Sequence, residues 1–319
     1  FDKNKYKKIS NLDHESGKVT RFEDSAKVYS NYLMSTLSKK INLKKYKIIL
    51  DCANGSTYQV APQLFSALNC KVITINNHPD GRNINKNCGA INVNKLSKTI
   101  LKLKADIGFA FDGDGDRLIA VDQKGKIIDG DKIIALFTLN YFKNKKLKKK
   151  SVVTTIMSNL GLEYYLKNNL GVKLIRTDVG DINVIAEMQK KSIIIGGEQS
   201  GHIVLGEYMK TGDGILAALK IMEILLFSRI KANKLFDLYE DYPQTKINLP
   251  LKNKLNVNFN HKLNQIIKIN KKNFPDLRYL VRKSGTEPLI RILVEGKSKK
   301  DVLKASKIIN IQIKKILNV

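Results

Sequence analysis

Hydrophobic and polar positions alternate between two periods along most of the chain. Short apolar runs, typical of buried strands, are followed by longer segments in which apolar residues recur at helical spacing. Runs that predict strands include YKIIL (46–50), KVITI (71–75), SVVTT (151–155) and SIIIG (192–196), with amphipathic helices predicted between them. This strand–helix alternation favours an α/β protein with mostly parallel sheets covered by helices on both faces.

The alternation ends near YEDYPQTKINLP (239–250), a segment with two prolines and the composition of a linker. Two short predicted strands and a final helix follow it, which indicates a smaller α+β domain. We therefore predict two successive three-layer α/β/α domains over 28–124 and 125–240, and a C-terminal α+β domain over 245–319. Residues 1–27 are interpreted as the remnant of a preceding domain and its linker.

The formal net charge of +28 would suit a nucleic-acid-binding protein, but the type of basic residue does not. Eight of the 57 basic residues are arginines, the side chain that readers of bases and phosphates favour. The lysines are spread over nearly every predicted helix, so we predict no nucleic-acid partner. The chain has no apolar run of membrane-spanning length and no signal-peptide pattern, and its three cysteines are scattered. A cytoplasmic protein without a membrane partner is expected.

The segment FAFDGDGDRLIAVD (109–122) places Asp112, Asp114 and Asp116 at alternate positions between two predicted strands. Alternate residues of an extended strand stand about 6.5–7 Å apart. The oxygens around one Mg²⁺ lie closer together, because each is only about 2.1 Å from the ion. The backbone must therefore curl, and the intervening glycines permit this. Three hard oxygen ligands predict Mg²⁺, Mn²⁺ or Ca²⁺ rather than Zn²⁺, with Mg²⁺ as our expectation.

This segment has two other interpretations. An EF-hand also begins with alternating aspartates, but it requires glycine at loop position 6 and an acid at position 12. Those positions hold Arg117 and Gln123, so the EF-hand is excluded. An acidic turn between strands remains possible, since Asp and Gly are common in turns. Arg117 favours a binding role, because a guanidinium beside a metal ion can hold a phosphoryl group.

Two further motifs are candidates for ligand binding. GGEQSGH (196–202) follows a predicted strand, at the end where open α/β sheets bind ligands. Its side chains Glu198, Ser200 and His202 could bind sugar hydroxyls, and His202 could transfer a proton. The alternative is a polar turn with a structural histidine.

RKSGTEPLIR (282–291) combines guanidinium groups, hydroxyls and a glycine that allows close backbone approach, which together predict a phosphate-binding loop. Its candidate residues are Arg282, Ser284, Gly285, Thr286 and Arg291. The alternative is a plain strand–turn–strand segment with solvated ends.

In this order, the three motifs resemble those of the α-D-phosphohexomutase superfamily, over nearly the whole chain. Within it, the stretches at 51–62, 79–90, 154–163, 196–202 and 211–215 are most similar to bacterial phosphoglucosamine mutases. The resemblance implies that glucosamine 6-phosphate and glucosamine 1-phosphate interconvert through a phosphoserine and a bisphosphorylated sugar. The reaction leads towards UDP-N-acetylglucosamine and the cell wall.

The resemblance also implies a role for each motif. Mg²⁺ would bind Asp112, Asp114 and Asp116. Arg117 and His202 would act in catalysis, and Glu198 and Ser200 would bind the sugar together with His202. The segment 282–291 would bind the phosphate that is not reacting.

Two departures from the family pattern qualify this resemblance. The family usually has Arg-Tyr where this chain has Ile182 and Asn183, which puts any substrate contact from those positions in doubt. A phosphoserine loop of the T-A-S-H-N-P type is not found, and FDKNKYKKIS (1–10) resembles the segment that follows it. We therefore expect a fragment that lacks the phosphoserine and is inactive alone. A phosphomannomutase or phosphoglucomutase, a non-catalytic sugar-phosphate-binding protein and a basic nucleic-acid-binding protein are the alternatives.

Overall fold

A computed structural model of the chain describes residues 20, 22–38, 41–251, 259–284 and 287–317. Within these ranges the strands form three separate sheets, accompanied by helices. The predicted α/β class is confirmed, with one refinement. Each of the first two sheets combines parallel strands with antiparallel strands at one side, and the third sheet is antiparallel throughout.

The first sheet has five strands in the order β2-β1-β3-β4-β5. They are β1 Lys47–Asp51, β2 Lys71–Ile75, β3 Ile107–Phe111, β4 Leu118–Asp122 and β5 Ile127–Ile128. The accompanying helices are α1 Ser25–Ser35, α2 Thr57–Ala67, α3 Asn94–Leu103 and a 3₁₀ turn at Gly89–Ile91. Strand β3 is buried along its whole length, as expected for a continuous apolar run covered on both faces. It runs parallel to β1 and antiparallel to β4, so the β3–β4 loop is a hairpin at the edge where β1 also ends.

The second sheet has the order β7-β6-β8-β9. Its strands are β6 Ser151–Thr155, β7 Lys173–Thr177, β8 Ile195–Gly197 and β9 Ile203–Leu205. Its helices are α4 Gly130–Lys143, α5 Leu160–Leu170, α6 Asp181–Lys191, α7 Gly214–Ser228 and α8 Ala232–Leu235. The strand predicted over 192–196 begins later, at Ile195, because the turn that ends α6 occupies its first residues. Ser192 adopts a left-handed conformation, and the amide of Ile193 donates to the Met188 carbonyl at 2.9 Å.

The third sheet has the order β10-β12-β11, with β10 Gln244–Pro250, β11 Arg278–Lys283 and β12 Leu289–Glu295. Helices α9 Phe259–Asn273 and α10 Lys299–Leu317 pack against it. The prediction of a linker over 239–250 is therefore wrong for residues 244–250, because these form β10 and pair with β12. Pro250 is compatible with this strand because it lies at the end of an edge strand.

The hydrophobic cores do not follow the division into three sheets. One continuous hydrophobic core extends from Phe109 and Phe111 in the first sheet to Val152 in the second. Helix α7 belongs to that core and contacts strands of both sheets. The third sheet has its own core, which includes Ile292 and Ile309. In the described part of the chain, no helix is long and apolar enough to cross a membrane.

Candidate functional site

The aspartate loop, residues 112–117, curls as the spacing argument requires. Asp112, Asp114 and Asp116 each offer a carboxylate oxygen, and these oxygens lie within 4.8 Å of one another. Gly115 has a φ of +80°, a left-handed conformation that glycine adopts without steric cost. The three carboxylates form a group that could hold a divalent metal ion.

Backbone contacts from neighbouring segments hold this loop in shape. The Ser56 amide donates to the Gly113 carbonyl at 2.8 Å, and the Gly214 amide, at the start of α7, donates to the Gly115 carbonyl at 2.9 Å. Gly55 lies so close that an added Cβ would stand 2.2 Å from the Gly113 carbonyl oxygen. The loop therefore depends on glycine at position 55 as well as on its own glycines.

Charge is concentrated in the aspartate loop. Burial, and then the charges of Asp112 and Asp114, raise the pKa of Asp116 to about 7. Arg117 opposes this shift, with its Nε 3.5 Å from Asp112 Oδ2 and 3.8 Å from Asp116 Oδ1. The buried Oδ1 of Asp116 has no hydrogen-bond partner among the described atoms. A divalent cation would satisfy this oxygen and offset the repulsion, so these residues fit a metal ion.

The second motif lies directly against the aspartate loop. It forms the GEQSGH loop, residues 197–202, which connects β8 to β9. Arg117 and His202 form an antiparallel backbone bridge, and the Leu118 amide donates to the Gly201 carbonyl at 2.9 Å. Gly201 has a φ of +100°, and an added Cβ would stand 2.5 Å from the Leu118 carbonyl oxygen. The structure thus joins two motifs that are more than eighty positions apart in the sequence.

Glu198 is held in place but keeps free acceptor capacity. Its Oε1 accepts from the Gly180 amide at 3.0 Å, and its Oε2 accepts from the Ser200 hydroxyl at 3.2 Å. A carboxylate has about four lone-pair sites, so further donors can be bound. Both residues line a cavity of about 280 Å³ together with Thr155, Met157, Val179 and Gln199. Glu198 and Ser200 thus give this largely apolar cavity polar groups that could bind the hydroxyls of a small ligand.

His202 occupies a position that the sequence did not indicate. Its side chain is 2% exposed, with Nε2 3.5 Å from Asp116 Oδ2 and 3.9 Å from Asp181 Oδ2. Burial lowers its pKa. Gly212 leaves room for the ring, since a Cβ there would stand 2.4 Å from Nε2. The predicted contact of His202 with a sugar stays a prediction, whereas its contact with the aspartate loop is a finding.

Ile182 and Asn183, which replace the family's usual Arg-Tyr, lie beside this site. Ile182, in the first turn of α6, is 76% exposed. Asn183 donates through Nδ2 to the Val179 carbonyl at 3.0 Å, and Val179 lines the cavity. Asn183 thus stabilises the cavity wall.

The third motif lies in the arginine hairpin, which is the antiparallel pair of strands β11 and β12. Arg282 and Arg291 face each other directly across the two strands. Like charges at such positions repel and destabilise the sheet. An anion bound between the two guanidinium groups would offset this repulsion. Arg291 also forms an ion pair with Glu287. Ser284 is buried and donates its amide to the Leu289 carbonyl at 2.8 Å, while Gly285 and Thr286 lie outside the described residues.

The structure does not link all three motifs directly. Among the hydrogen bonds and ion pairs of the described residues, none joins Arg282 or Arg291 to the aspartate loop or the GEQSGH loop.

Asp51, which organises the edge of the first sheet, belongs to none of the three motifs. This buried carboxylate accepts from the Ala53 and Gly89 amides, both at 3.0 Å, and from Asn76 Nδ2 at 2.9 Å. An aspartate ending the apolar strand KIILD was the only sequence signal for it.

Comparison with known families accounts for this combination of fold and motifs. Sequence models of the phosphoglucomutase/phosphomannomutase family match the chain in three consecutive parts. Alpha/beta/alpha domain II matches residues 27–125, alpha/beta/alpha domain III matches 129–244, and the C-terminal domain matches 247–307. The chain therefore belongs to the phosphoglucomutase/phosphomannomutase family.

Within that family, similar curated proteins are phosphoglucosamine mutases. The chain is 44% identical to the one from Nautilia profundicola over 287 residues, covering 90% of this chain and 64% of the relative. It is 45% identical to the one from Fusobacterium nucleatum over 307 residues, covering 95% of this chain and 67% of the relative. The chain thus spans about two thirds of the length of these relatives.

Solved structures support the fold. A phosphoglucomutase/phosphomannomutase family protein from Burkholderia thailandensis aligns with a TM-score of 0.81 at 22% identity, covering 98% of this chain and 69% of that one. Aspergillus fumigatus N-acetylphosphoglucosamine mutase, determined in complex with GlcNAc-6P and magnesium, aligns with a TM-score of 0.71 at 17% identity. That alignment covers 97% of this chain and 68% of the Aspergillus chain.

Proposed function

We propose that this chain carries the metal-binding, sugar-binding and phosphate-binding parts of a phosphoglucosamine mutase. Such an enzyme interconverts glucosamine 6-phosphate and glucosamine 1-phosphate. One observation carries the proposal: the backbone bridge between Arg117 and His202 brings three clustered carboxylates against a loop whose Glu198 and Ser200 line a cavity. The names of relatives at 44% and 45% identity support glucosamine as the sugar.

Each part of the site has a separate task in this proposal. Asp112, Asp114 and Asp116 would hold Mg²⁺, which supplies positive charge beside a phosphoryl group when bound. Arg117 is 40% exposed at the same loop and would bind phosphoryl oxygens through its free donors. The backbone of Arg117 is held to the same loop, because its amide donates to Asp112 Oδ1 at 3.1 Å.

The sugar and the second phosphate would be bound by the other two motifs. Glu198 and Ser200 would orient sugar hydroxyls in the cavity, where the carboxylate keeps unused lone pairs. Arg282 and Arg291 would bind the non-reacting phosphate between them, and Ser284 with residues 285–286 would complete that binding loop. Because the arginine hairpin is separate from the aspartate loop, either phosphate of a bisphosphorylated sugar could occupy it.

The test is an activity comparison on the complete gene product. With Mg²⁺ and a catalytic amount of the sugar bisphosphate, kcat/KM is measured for glucosamine 6-phosphate, glucose 6-phosphate and mannose 6-phosphate. We expect glucosamine to be preferred by about 10-fold or more, since one well-placed polar contact can discriminate at least this strongly. A clear preference for the mannose substrate would overturn the assignment, and no turnover of any of the three would overturn the mutase itself.

A further inference from the structure

One side chain of the C-terminal domain reaches into the preceding domain, close to the proposed sugar cavity. Arg278, at the start of β11, donates from Nη1 to the Ile156 carbonyl at 2.7 Å and from Nη2 to the Ser158 carbonyl at 2.9 Å. These carbonyls belong to the loop that follows β6. That loop includes Met157, and Met157 lines the cavity with Glu198.

Glu295, at the end of β12, completes this contact. It is Arg278's partner across the two strands and is fully buried. Its Oε2 accepts from Arg278 Nε at 2.7 Å, and its Oε1 accepts from the Leu160 amide at 2.9 Å and from Gln244 Nε2 at 2.6 Å. Leu160 begins α5, so the carboxylate lies at the positive end of that helix. A buried charge bound on every side holds a defined geometry.

The same hairpin carries the proposed phosphate-binding arginines at its other end. Arg278 and Arg282 are four residues apart on β11, and Arg291 and Glu295 are four apart on β12. Residues separated by four positions in a strand lie on one face, about 13–14 Å apart. One face of the hairpin therefore carries Arg278 and Glu295 at one end and the arginine pair at the other.

We propose that Arg278 and Glu295 are positioning residues that set the distance between the phosphate-binding arginines and the sugar cavity. The inference rests on the proposed function and extends it. Neither side chain touches the ligand. The bonds from Arg278 to the Ile156 and Ser158 carbonyls, and from the Leu160 amide to Glu295, hold the arginine hairpin where one sugar phosphate reaches both sites. Linked sites bind a two-ended ligand more tightly only while their spacing matches that ligand.

The test compares two ligands on the same 319-residue chain. One can occupy only the phosphate site, and the other has a sugar and a phosphate that can occupy both sites. Dissociation constants are measured by calorimetry for inorganic phosphate and for glucosamine 6-phosphate. Arg278→Lys keeps the charge, but a lysine ammonium cannot span Glu295 and two carbonyls as the planar guanidinium does. We expect phosphate affinity to stay the same and glucosamine 6-phosphate to bind about 10-fold more weakly.

Matched variants test whether the effect of Arg278→Lys on affinity comes from a general change in folding or charge. Arg229→Lys makes the same exchange at an exposed position at the end of α7 and should change neither affinity. Arg282→Gln should weaken both ligands. Glu295→Gln is a second variant for the proposed positioning residues, and it should reproduce the selective loss of glucosamine 6-phosphate binding. Thermal melts of each variant report the folded fraction.

The possible failures are distinguishable. If the unaltered chain binds glucosamine 6-phosphate no more tightly than phosphate, the proposed function is overturned and this inference falls with it. If the unaltered chain prefers glucosamine 6-phosphate and folded Arg278→Lys keeps that preference, the inference alone is overturned. A parallel loss of both affinities in both folded variants would also overturn it, because a purely structural role predicts that result.

Discussion

The aspartate loop and the arginine hairpin both gather like charges, but they hold them differently. In the aspartate loop the backbone is fixed by amides from two other segments, and Asp112 is buried. In the arginine hairpin, Arg282 and Arg291 oppose each other on two strands, and Glu287 pairs with one of them at the partly exposed end. The first site is supported by other segments of the fold, whereas the second is carried by a regular hairpin.

This difference indicates where each site gains its specificity. A metal ion requires several oxygens at short, fixed distances, so its loop must be curled and supported before the ion arrives. A phosphate accepts bonds from several directions, and long arginine side chains can adjust to it. Substitutions in the segments that support the aspartate loop should therefore act through geometry, and substitutions of the opposed arginines mainly through charge.

The largest effect is expected when one metal-binding carboxylate is removed. Asp112→Asn keeps the shape of the side chain and an oxygen for the Arg117 amide, but it removes a charged ligand. Substitutions one shell beyond the ligands cost about 10–100-fold in metal affinity, so a ligand itself should cost about 100-fold or more. Calorimetric titration with Mn²⁺ measures the loss.

The control for this change is Asp237→Asn, because Asp237 is exposed and pairs only with Lys234 among the contacts described. It should leave Mn²⁺ affinity unaltered. If Asp112→Asn binds Mn²⁺ as the unaltered chain does, the three carboxylates are not the metal site.

A smaller effect is expected from Gly55→Ala, which changes the support of the aspartate loop and none of its ligands. The new Cβ would stand 2.2 Å from the Gly113 carbonyl oxygen and 2.6 Å from its Cα, so backbone must move. Overpacking of this kind lowers the free energy of unfolding by about 1–3 kcal/mol. Denaturant melts measure that loss, and Mn²⁺ affinity should fall with it.

Gly171→Ala separates local geometry from general destabilisation. Gly171 ends α5 with a φ of +62° and has open space around its Cβ position. Alanine there costs about 1 kcal/mol through backbone strain alone. Mn²⁺ affinity should be unaffected in this control, and an equal loss of affinity in both variants would argue against a supporting role for Gly55.

The sequence could predict features that depend on neighbouring residues. Comparison of ligand and strand spacing predicted the curl at Asp112, Asp114 and Asp116, and apolar runs predicted most strands. The sequence could not predict contacts set by how distant segments pack. His202 beside Asp116, Arg278 beside Ile156, and β10 on β12 all join residues separated by about forty positions or more. The shifted β8 has a local cause, because the left-handed end of α6 shortens the strand.

The smallest expected effect concerns the arginine hairpin, and it is a gain in stability, whereas the substitutions above cause losses. Arg282→Gln removes one of two like charges that face each other, so the free energy of unfolding should rise by about 0.2–1 kcal/mol in phosphate-free buffer. Added phosphate should stabilise the unaltered chain, because it binds the folded state, and should stabilise the variant less. Lys283→Gln is the matched control, since Lys283 is exposed and faces Ile290 instead of an arginine. If Arg282→Gln destabilises the chain without phosphate and leaves its response to phosphate intact, the arginine pair is a structural feature and does not bind the anion.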